Sequence, residues 1–579
     1  MRHPEQKHHS LLRLMKMSGP YWKIILACVL CVIAVNGAEL YKPLVMQKVI
    51  DDFLVGGKPQ HGLSSIPAMG ALYMLLIAGS SVLSAVQINA MTWVGQNVIT
   101  DLRRTVFSHI QRMPLSLLDK FSSGRLITRA TNDVEELSEM FTDVLIDLFK
   151  DVFLLIGIVV IMVKLDWQLS LIGFAVLPFI VMITNFMKRK MKANFVVIKR
   201  LTGRINGFFA ENISGMKLVQ IFNMQREKEG EFQELNDEYY QASLTRLMLH
   251  SILRPAIEIF NSLAIALLVW YGMGRIMNHT LDIGVLYAFT NYIKQFFDPI
   301  NDLAEKYNTI QSAVVSADRI FEILDEEGSL EDYDSGMHLE RLQGEIEFRH
   351  VWFAYEKEDW VLKDVSFRIR KGQTAAFVGA TGAGKTTIIN LISRFYRVQK
   401  GEIRIDGVNI NDINLKDLRR NISVVLQDVF LFSGSIRDNI TLSNDISDET
   451  VAKALKLSCA DAFIDELPHK MDEMVTERGS TFSAGQRQLL AFARTIAHDP
   501  AIFVLDEATA NIDTKTEKLI QKSIENISRD RTTLIIAHRL STIRNADMIF
   551  LMRKGRIVES GNHESLMELG GYYAQLNAV

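Results

Sequence analysis

The first 280 residues carry five long apolar runs, at 24–46, 69–94, 145–163, 169–187 and 256–277. Each approaches or exceeds the roughly 20 residues that a helix needs to cross a bilayer. A sixth run, 283–310, is weaker because Lys294, Gln295 and Asp298 interrupt it. The polar positions between runs assign the sides. Arg103, Arg104, Arg112, Arg125 and Arg129 fall between runs two and three, and Lys188, Arg189, Lys190, Lys192, Lys199, Arg200 and Arg204 follow run four. The alternate segments 51–67, 164–168 and 278–282 hold one lysine each or none. Basic segments stay on the cytosolic side. The basic first 23 residues (Arg2, Lys7, Arg13, Lys16, Lys23) belong there too, as does the soluble-looking second half. An even number of spans follows, so six are expected, with both termini cytosolic. No cleavable signal peptide is expected, because the first apolar run is long enough to span.

Residues 188–253 are too charged for a simple loop, yet hold little Gly or Pro. They predict two helices that continue spans four and five into the cytosol, each roughly 45–50 Å long at 1.5 Å per residue. A turn is expected at 211–216, and a similar one at 119–124 between the extensions of spans two and three. Five ionisable residues fall at membrane depth: Glu39, Asp147, Lys150, Asp151 and Glu258. Such residues are costly in a bilayer and raise a functional question by default. Lys150 is spaced to pair with Asp147 or Asp151. Glu39 and Glu258 have no obvious local partner. Either they face a central cavity and favour cationic or polar amphipathic substrates, or they pair with another helix or lie near the interface. Tyr287, Phe289, Tyr292, Phe296 and Phe297 cluster in span six. They serve as packing or, for Tyr292 and Phe296 as substrate candidates, as a cavity wall.

The character of the chain changes after residue 325. At 579 residues it is too long for one domain. Its 48% apolar content averages a membrane half with an ordinary α/β half. The acidic, turn-rich stretch 326–343 reads as a linker between a helical membrane domain at 1–325 and an α/β domain at 344–579. The three cysteines include Cys28 and Cys31 at Cys-x-x-Cys spacing, but inside an apolar helix with no second pair nearby. They are read as small hydrophobes rather than metal or redox groups. A net charge of −3 gives no reason to expect nucleic acid as a partner.

The candidate chemistry sits in the second half. Strands are predicted at 348–353, 365–369 and 374–378. The last feeds Gly379-Ala380-Thr381-Gly382-Ala383-Gly384-Lys385-Thr386, followed by Thr387 and a helix to residue 395. Glycines at 379, 382 and 384 let backbone N–H groups approach phosphate oxygens, and the helix N-terminus favours the same anion. Lys385 supplies a point charge for the β/γ oxygens, and the Thr386 hydroxyl can ligate Mg2+. A buried-strand run at 501–505 ends in Asp506-Glu507. At the end of a parallel strand Asp506 would hold Mg2+ and Glu507 would polarise an attacking water. The alternative for these two carboxylates is a helix N-cap and first turn.

With Phe482-Ser483-Ala484-Gly485-Gln486 added, the chain resembles the half-transporters of the ABC exporters over essentially its whole length. The resemblance implies a six-helix transmembrane domain with long cytosolic extensions, fused to an α/β P-loop ATPase domain. It implies that Tyr355 stacks on adenine, that Gln427 senses Mg2+ and the membrane domain, and that Asp513 closes the D-loop. It further implies that His538 holds the γ-phosphate and that Ser483, Gly485 and Gln486 grip ATP across a dimer interface. The turns at 119–124 and 211–216 would be the coupling segments. ATP and Mg2+ are the implied ligands, and the cytoplasmic membrane of a bacterium the implied location.

The departures carry information of their own. The family's usual signature is Leu-Ser-Gly-Gly-Gln, whereas this chain has Phe482 and Ala484, and its D-loop has Asn511-Ile512. With Glu507 intact, this resembles the hydrolysis-competent subunit of a heterodimeric exporter whose second half-transporter is a different chain. A homodimer that tolerates the changes is the alternative. The expected function is export of amphipathic, cationic or multidrug-type substrates, with lipid flippase or peptide exporter as the other readings. Five apolar spans exclude a soluble ABC ATPase, and the fusion argues against an importer.

Overall fold

The computed structural model describes residues 12–55, 65–326, 328, 330, 336–356, 358–476, 479–506, 513–536 and 543–577. The chain divides into two compact units, one of residues 1–107 and 124–325, the other of residues 108–123 and 326–579.

Among the described residues the first unit is built of helices. Its long elements are α1 (Trp22–Val49), α2 (Ile66–Arg112), the short pair α3 (Ser123–Ala130) and α4 (Asn132–Glu139), and α5 (Leu145–Leu165). There follow α6 (Trp167–Phe174), α7 (Leu177–Ser214), α8 (Gln225–Met277) and α9 (Ile283–Leu324). Among the described residues, four helical stretches pass as spans by length and composition: Gly19–Val55, Ile66–Arg112, Trp167–Ser214 and Gln225–Met277. The helices α5 and α9 occupy the positions expected of spans three and six. At 53 residues α8 extends about 80 Å, far beyond the ~30 Å hydrocarbon core, so much of it projects out of the membrane.

Large side chains such as Leu75, Phe153, Leu171 and Trp270 are exposed, the pattern of helices that meet lipid rather than water. Inward, Ile158, Met162, Leu169, Ile180, Leu268, Phe289 and Tyr292 form a packed core. A Cβ on Gly157 would come within 2.3 Å of Leu40 Cδ1, so a glycine is what lets α1 approach α5 this closely. Asp166 begins α6 by accepting from the Gln168 and Leu169 amides at 3.0 Å. The same carboxylate receives Arg275 at 2.6 Å, which ties the end of α8 to the α5–α6 turn. The reversal after α7 differs from the sequence expectation. Instead of a simple turn at 211–216, Gly215 introduces a short helix, Met216–Ile221, and the chain turns back through Asn223, whose φ is +53°.

The second unit joins two sheets. Strands β1 (Ile346–Ala354), β2 (Trp360–Ile369), β4 (Lys400–Ile405) and β5 (Val408–Asn409) form an antiparallel sheet in the order β2-β1-β4-β5. The other strands are β3 (Thr374–Val378), β6 (Ile422–Val425), β9 (Ile502–Asp506), β10 (Thr532–Ile536), β11 (Met548–Arg553) and β12 (Arg556–Gly561). They form a six-stranded sheet in the order β12-β11-β3-β10-β9-β6, parallel except for β12. The two-residue strands β7 (Gly434–Ser435) and β8 (Met474–Val475) pair separately. The runs Ile-Phe-Val-Leu of β9 and Thr-Thr-Leu-Ile-Ile of β10 are buried along their length, as covered parallel strands require. One core lies under the antiparallel sheet around Phe348, Phe367, Phe377 and Phe550. A second surrounds α12 (Ala484–Ala497), which follows α10 (Lys385–Ile392) and α11 (Asp448–Leu457).

Candidate nucleotide and substrate sites

Strand β3 lies at the centre of the parallel sheet between β11 and β10, and its carboxyl end delivers the chain into residues 379–384. The loop's path depends on glycine. Gly379 has φ +153°, and a Cβ there would sit 2.2 Å from the Met552 carbonyl oxygen. Gly384 has φ +101° and caps α10 without any side-chain bond, which leaves the first-turn N–H groups of the helix available to an anion. Lys385 is buried beneath the loop, its ammonium donating to the carbonyls of Gly379 at 2.6 Å and Ala380 at 3.2 Å. A phosphate would therefore compete with the loop's own carbonyls for this cation. Ala380, Thr381, Gly382 and Thr386 are exposed, whereas Ala383 and Thr387 are buried.

An aromatic wall stands beside the loop. Tyr355 follows β1 half-exposed, its hydroxyl donating to Thr387 Oγ1 at 3.2 Å and accepting from Asn390 Nδ2 at 2.9 Å. The phenol is thus fixed to the first turns of α10. Phe353 and Tyr396 meet the Tyr355 ring edge to face, with centroids 4.8 and 5.0 Å away, and hold it upright. Its free face is the one available for stacking. Tyr396 donates to Asp119, in the short segment that groups with this unit. Burial, and then that carboxylate, push the Tyr396 hydroxyl well above its usual range. The sequence pattern did not single out Asn390 or Tyr396, and it placed Asp119 only in the expected coupling turn. The one available signal was that Tyr396 follows Phe395 just beyond the phosphate-loop helix.

Asp506 closes β9 and pairs in register with Ile536 of β10, so it lies on the same carboxyl edge as the phosphate loop. Gln427 is exposed in the loop after β6, the strand beyond β9, and shares that edge. Parallel α/β sheets bind ligands along this edge. Thr386, Asp506 and Gln427 offer only oxygen donors of the kind Mg2+ selects, together with phosphate oxygens. Glu507, His538 and D-loop residues Asn511 and Ile512 lie outside the described residues. Asp513 accepts from the Thr516 amide at 2.9 Å and so caps the following helix. That hydrogen bond holds its carboxyl below the usual range.

The signature segment is a capping box. Ser483 Oγ accepts from the Gln486 amide at 3.2 Å, and Gln486 Oε1 accepts from the Ser483 amide at 2.9 Å. The Ser483 hydroxyl proton remains available to a phosphate. Gly485 is buried and Ala484 exposed. Phe482 is 7% exposed and meets Phe463 with ring centroids 6.1 Å apart. Farther along α12, the half-buried Arg494 donates to the carbonyls of Asn439 at 2.8 Å and Phe430 at 3.3 Å. It thereby ties the signature helix to the chain just after Gln427. No hydrogen bond or ion pair joins Ser483 or Gln486 to the phosphate loop among those described.

The candidate substrate residues in the first unit divide into two carboxylates, one paired and one exposed, and two buried aromatics. Glu39 has a local partner after all, Lys42 at 2.6 Å. The i,i+3 spacing was there in the sequence, and the pair corrects the expectation of an unmatched carboxylate. Glu258 is exposed on α8. Tyr292 is fully buried and donates to the Leu40 carbonyl at 2.6 Å, and Phe296 is 7% exposed. In this conformation both pack the helix core. Asp151 and Asp147 pair with Lys306 of α9 at 2.7 and 3.3 Å, in place of the expected bond to Lys150.

Comparison with known proteins places both units. The model of the ABC transporter transmembrane region matches residues 25–300, and a second model, described as ABC transporter, matches residues 362–510. The chain is 40% identical over 483 residues to a Bacillus subtilis protein named "Probable multidrug resistance ABC transporter ATP-binding/permease protein YheH", covering 83% of this chain and 72% of that one. It is 33% identical over 568 residues to the ATP-dependent lipid A-core flippase of Syntrophus aciditrophicus, covering 98% and 94%. The solved structure of a bacterial Atm1-family ABC exporter with ATP bound superposes with a TM-score of 0.77 at 26% identity, over 96% of this chain and 98% of that one.

Proposed function

The chain belongs to the ABC exporter family, and we propose that within it this protein is one half of a dimeric exporter of amphipathic, preferentially cationic compounds. Its ATPase domain couples ATP hydrolysis to transport across the membrane its helices span. Exporters of this type work as dimers. The observation that carries the reading is the phosphate loop with Tyr355 fixed against its helix, in one chain with the apolar helices.

In the proposed cycle the Gly379–Thr387 segment and Tyr355 hold the nucleotide. Thr386, Gln427 and Asp506 hold Mg2+, which neutralises developing charge on the phosphates. Glu507 polarises the attacking water and His538 secures the γ-phosphate. Closure of the two ATPase domains, passed through the segments near Asp119 and Met216, turns the membrane cavity outward. The bacterial relatives support the cytoplasmic membrane as location, and the basic segments support cytosolic termini.

The pairing of an altered signature with Glu507 supports a heterodimer. This chain's Lys385, Asp506, Glu507 and His538 would face a partner's complete signature, and its own Ser483–Gln486 would complete a weaker site. Native mass spectrometry of the chain purified gently from its host membrane tests this. A complex with a second, different polypeptide is expected, and a lone assembly of twice the 65.7 kDa chain would overturn it. Lipid translocation is the second reading, favoured by the flippase relative that matches over almost the whole chain. Reconstituted vesicles assayed side by side for uptake of a cationic dye and for lipid translocation separate the two.

A further inference from the structure

Two carboxylates one turn apart on α5 share a single ammonium. Asp147 and Asp151 stand at i,i+4 on one helix face, and Lys306 of α9 reaches both, at 3.3 and 2.7 Å. The three residues are not equally enclosed. The side chains of Lys306 and Asp151 are 13% and 9% exposed, whereas that of Asp147 is 49% exposed. Charge removed from water must be matched nearby. Lys306 holds the buried Asp151 the more closely, and Asp147 is the open carboxylate of the group.

Its depth suits a ligand that enters from the bilayer. The far end of α5 at Leu165 lies 18 residues beyond Asp147, about 27 Å of helix, close to the full hydrocarbon thickness. Asp147 therefore lies at the cytosolic boundary of the span, where the charged head of an amphipath rests while its apolar part stays in lipid. A second acceptor sits nearby. Asn36 of α1 is 3% exposed and donates to the Lys150 carbonyl at 2.8 Å, on the turn of α5 that carries both aspartates. The Asn36 Oδ1 has no hydrogen-bond partner. Buried amide oxygens are rarely left so.

We propose that Asp147, backed by the Lys306–Asp151 pair, receives the cationic head of the exported amphipath, with Asn36 as a neighbouring acceptor. This rests on the proposed export of amphipathic cations and moves recognition away from Glu39, which Lys42 already neutralises.

The test uses the full assembly in nanodiscs, with ATPase stimulation by tetraphenylphosphonium and by its neutral counterpart triphenylphosphine oxide. In Asp147→Asn the half-maximal concentration of the cation should rise at least tenfold and that of the neutral compound less than twofold. Asp147→Glu, which keeps the charge, should restore the cation response. Equal shifts for both compounds, or none for either, would overturn the assignment of Asp147. A wild-type assembly that responds to neither compound would instead overturn the amphipath reading on which it rests.

Discussion

The hydroxyl of Tyr396 donates to Asp119, 277 residues earlier in the chain, while its ring holds the edge of Tyr355. One side chain thus touches both the aromatic wall of the nucleotide site and the segment read as the first coupling turn. Tyr396→Phe keeps the ring and removes the bond. A hydrogen bond to a charged group contributes about 1.5–3 kcal/mol. The affinity for ATP should change less than threefold, because Tyr355 keeps its neighbours, while substrate stimulation of the ATPase should fall severalfold. Titrating ATP and substrate separately in nanodiscs measures the two effects. Tyr355→Ala should show the reverse pattern, with ATP affinity falling most.

Glu507→Gln should bind ATP and remain closed. Loss of a group that acts on the reacting water costs about 10²–10⁴ in rate. Lys385→Ala should instead weaken binding, since the ammonium meets phosphate in the ground state as well. Trapping of labelled nucleotide, followed by release, separates the two. Normal turnover in Glu507→Gln would contradict the role given to Glu507.

Gly379 tolerates no side chain. A methyl 2.2 Å from the Met552 carbonyl must displace either β11 or the loop, at a φ that L residues rarely adopt. Gly379→Ala should lose ATP binding and lower the melting temperature. Gly382→Ala should be milder, because open space surrounds that position and only its φ of +80° resists.

His498 gives the ATPase domain an acid-sensitive element. Burial, and then nearby Arg494, lower its pKa, and the ring meets the Ile440 carbonyl at 3.1 Å. A base whose folded pKa lies below its ordinary value of about 6.5 binds protons more readily when unfolded. Its contribution to stability is therefore full above that ordinary value and falls as the pH drops through it toward the folded pKa. Melting temperatures of wild type and His498→Gln between pH 5 and 7.5 should diverge accordingly. The wild type should lose stability faster on acidification.

What the sequence made legible follows from the range of the interactions. Four of the expected spans, the turn from β3 into α10 and the strand that ends at Asp506 are local patterns of three to twenty residues, and they are where hydropathy and glycine spacing placed them. The i,i+3 pair of Glu39 and Lys42 is equally local and could have been read. The matching of Asp147 and Asp151 to Lys306 could not, because α9 lies about 155 residues downstream and packing alone selects that lysine over adjacent Lys150. The grouping of residues 108–123 with the ATPase half is of the same kind.

The two departures in the signature should behave differently. Phe482 is core, packed against Phe463, so Phe482→Leu exchanges one buried apolar side chain for a smaller one. It should cost about 1 kcal/mol of stability and little rate. Ala484 is exposed at the first position of α12, beside a Ser483 hydroxyl proton that is free to meet phosphate. In the proposed dimer, a γ-phosphate from the opposing half would approach the helix N-terminus beside this methyl. Ala484→Gly should therefore raise the maximal ATPase rate of the native assembly, by bringing a second site into turnover, without changing the melting temperature by more than a few degrees. Rates at saturating ATP, compared with the number of nucleotides trapped per dimer, measure this. A single hydrolysing site before and after the change would show that the partner chain, and not this methyl, sets the asymmetry.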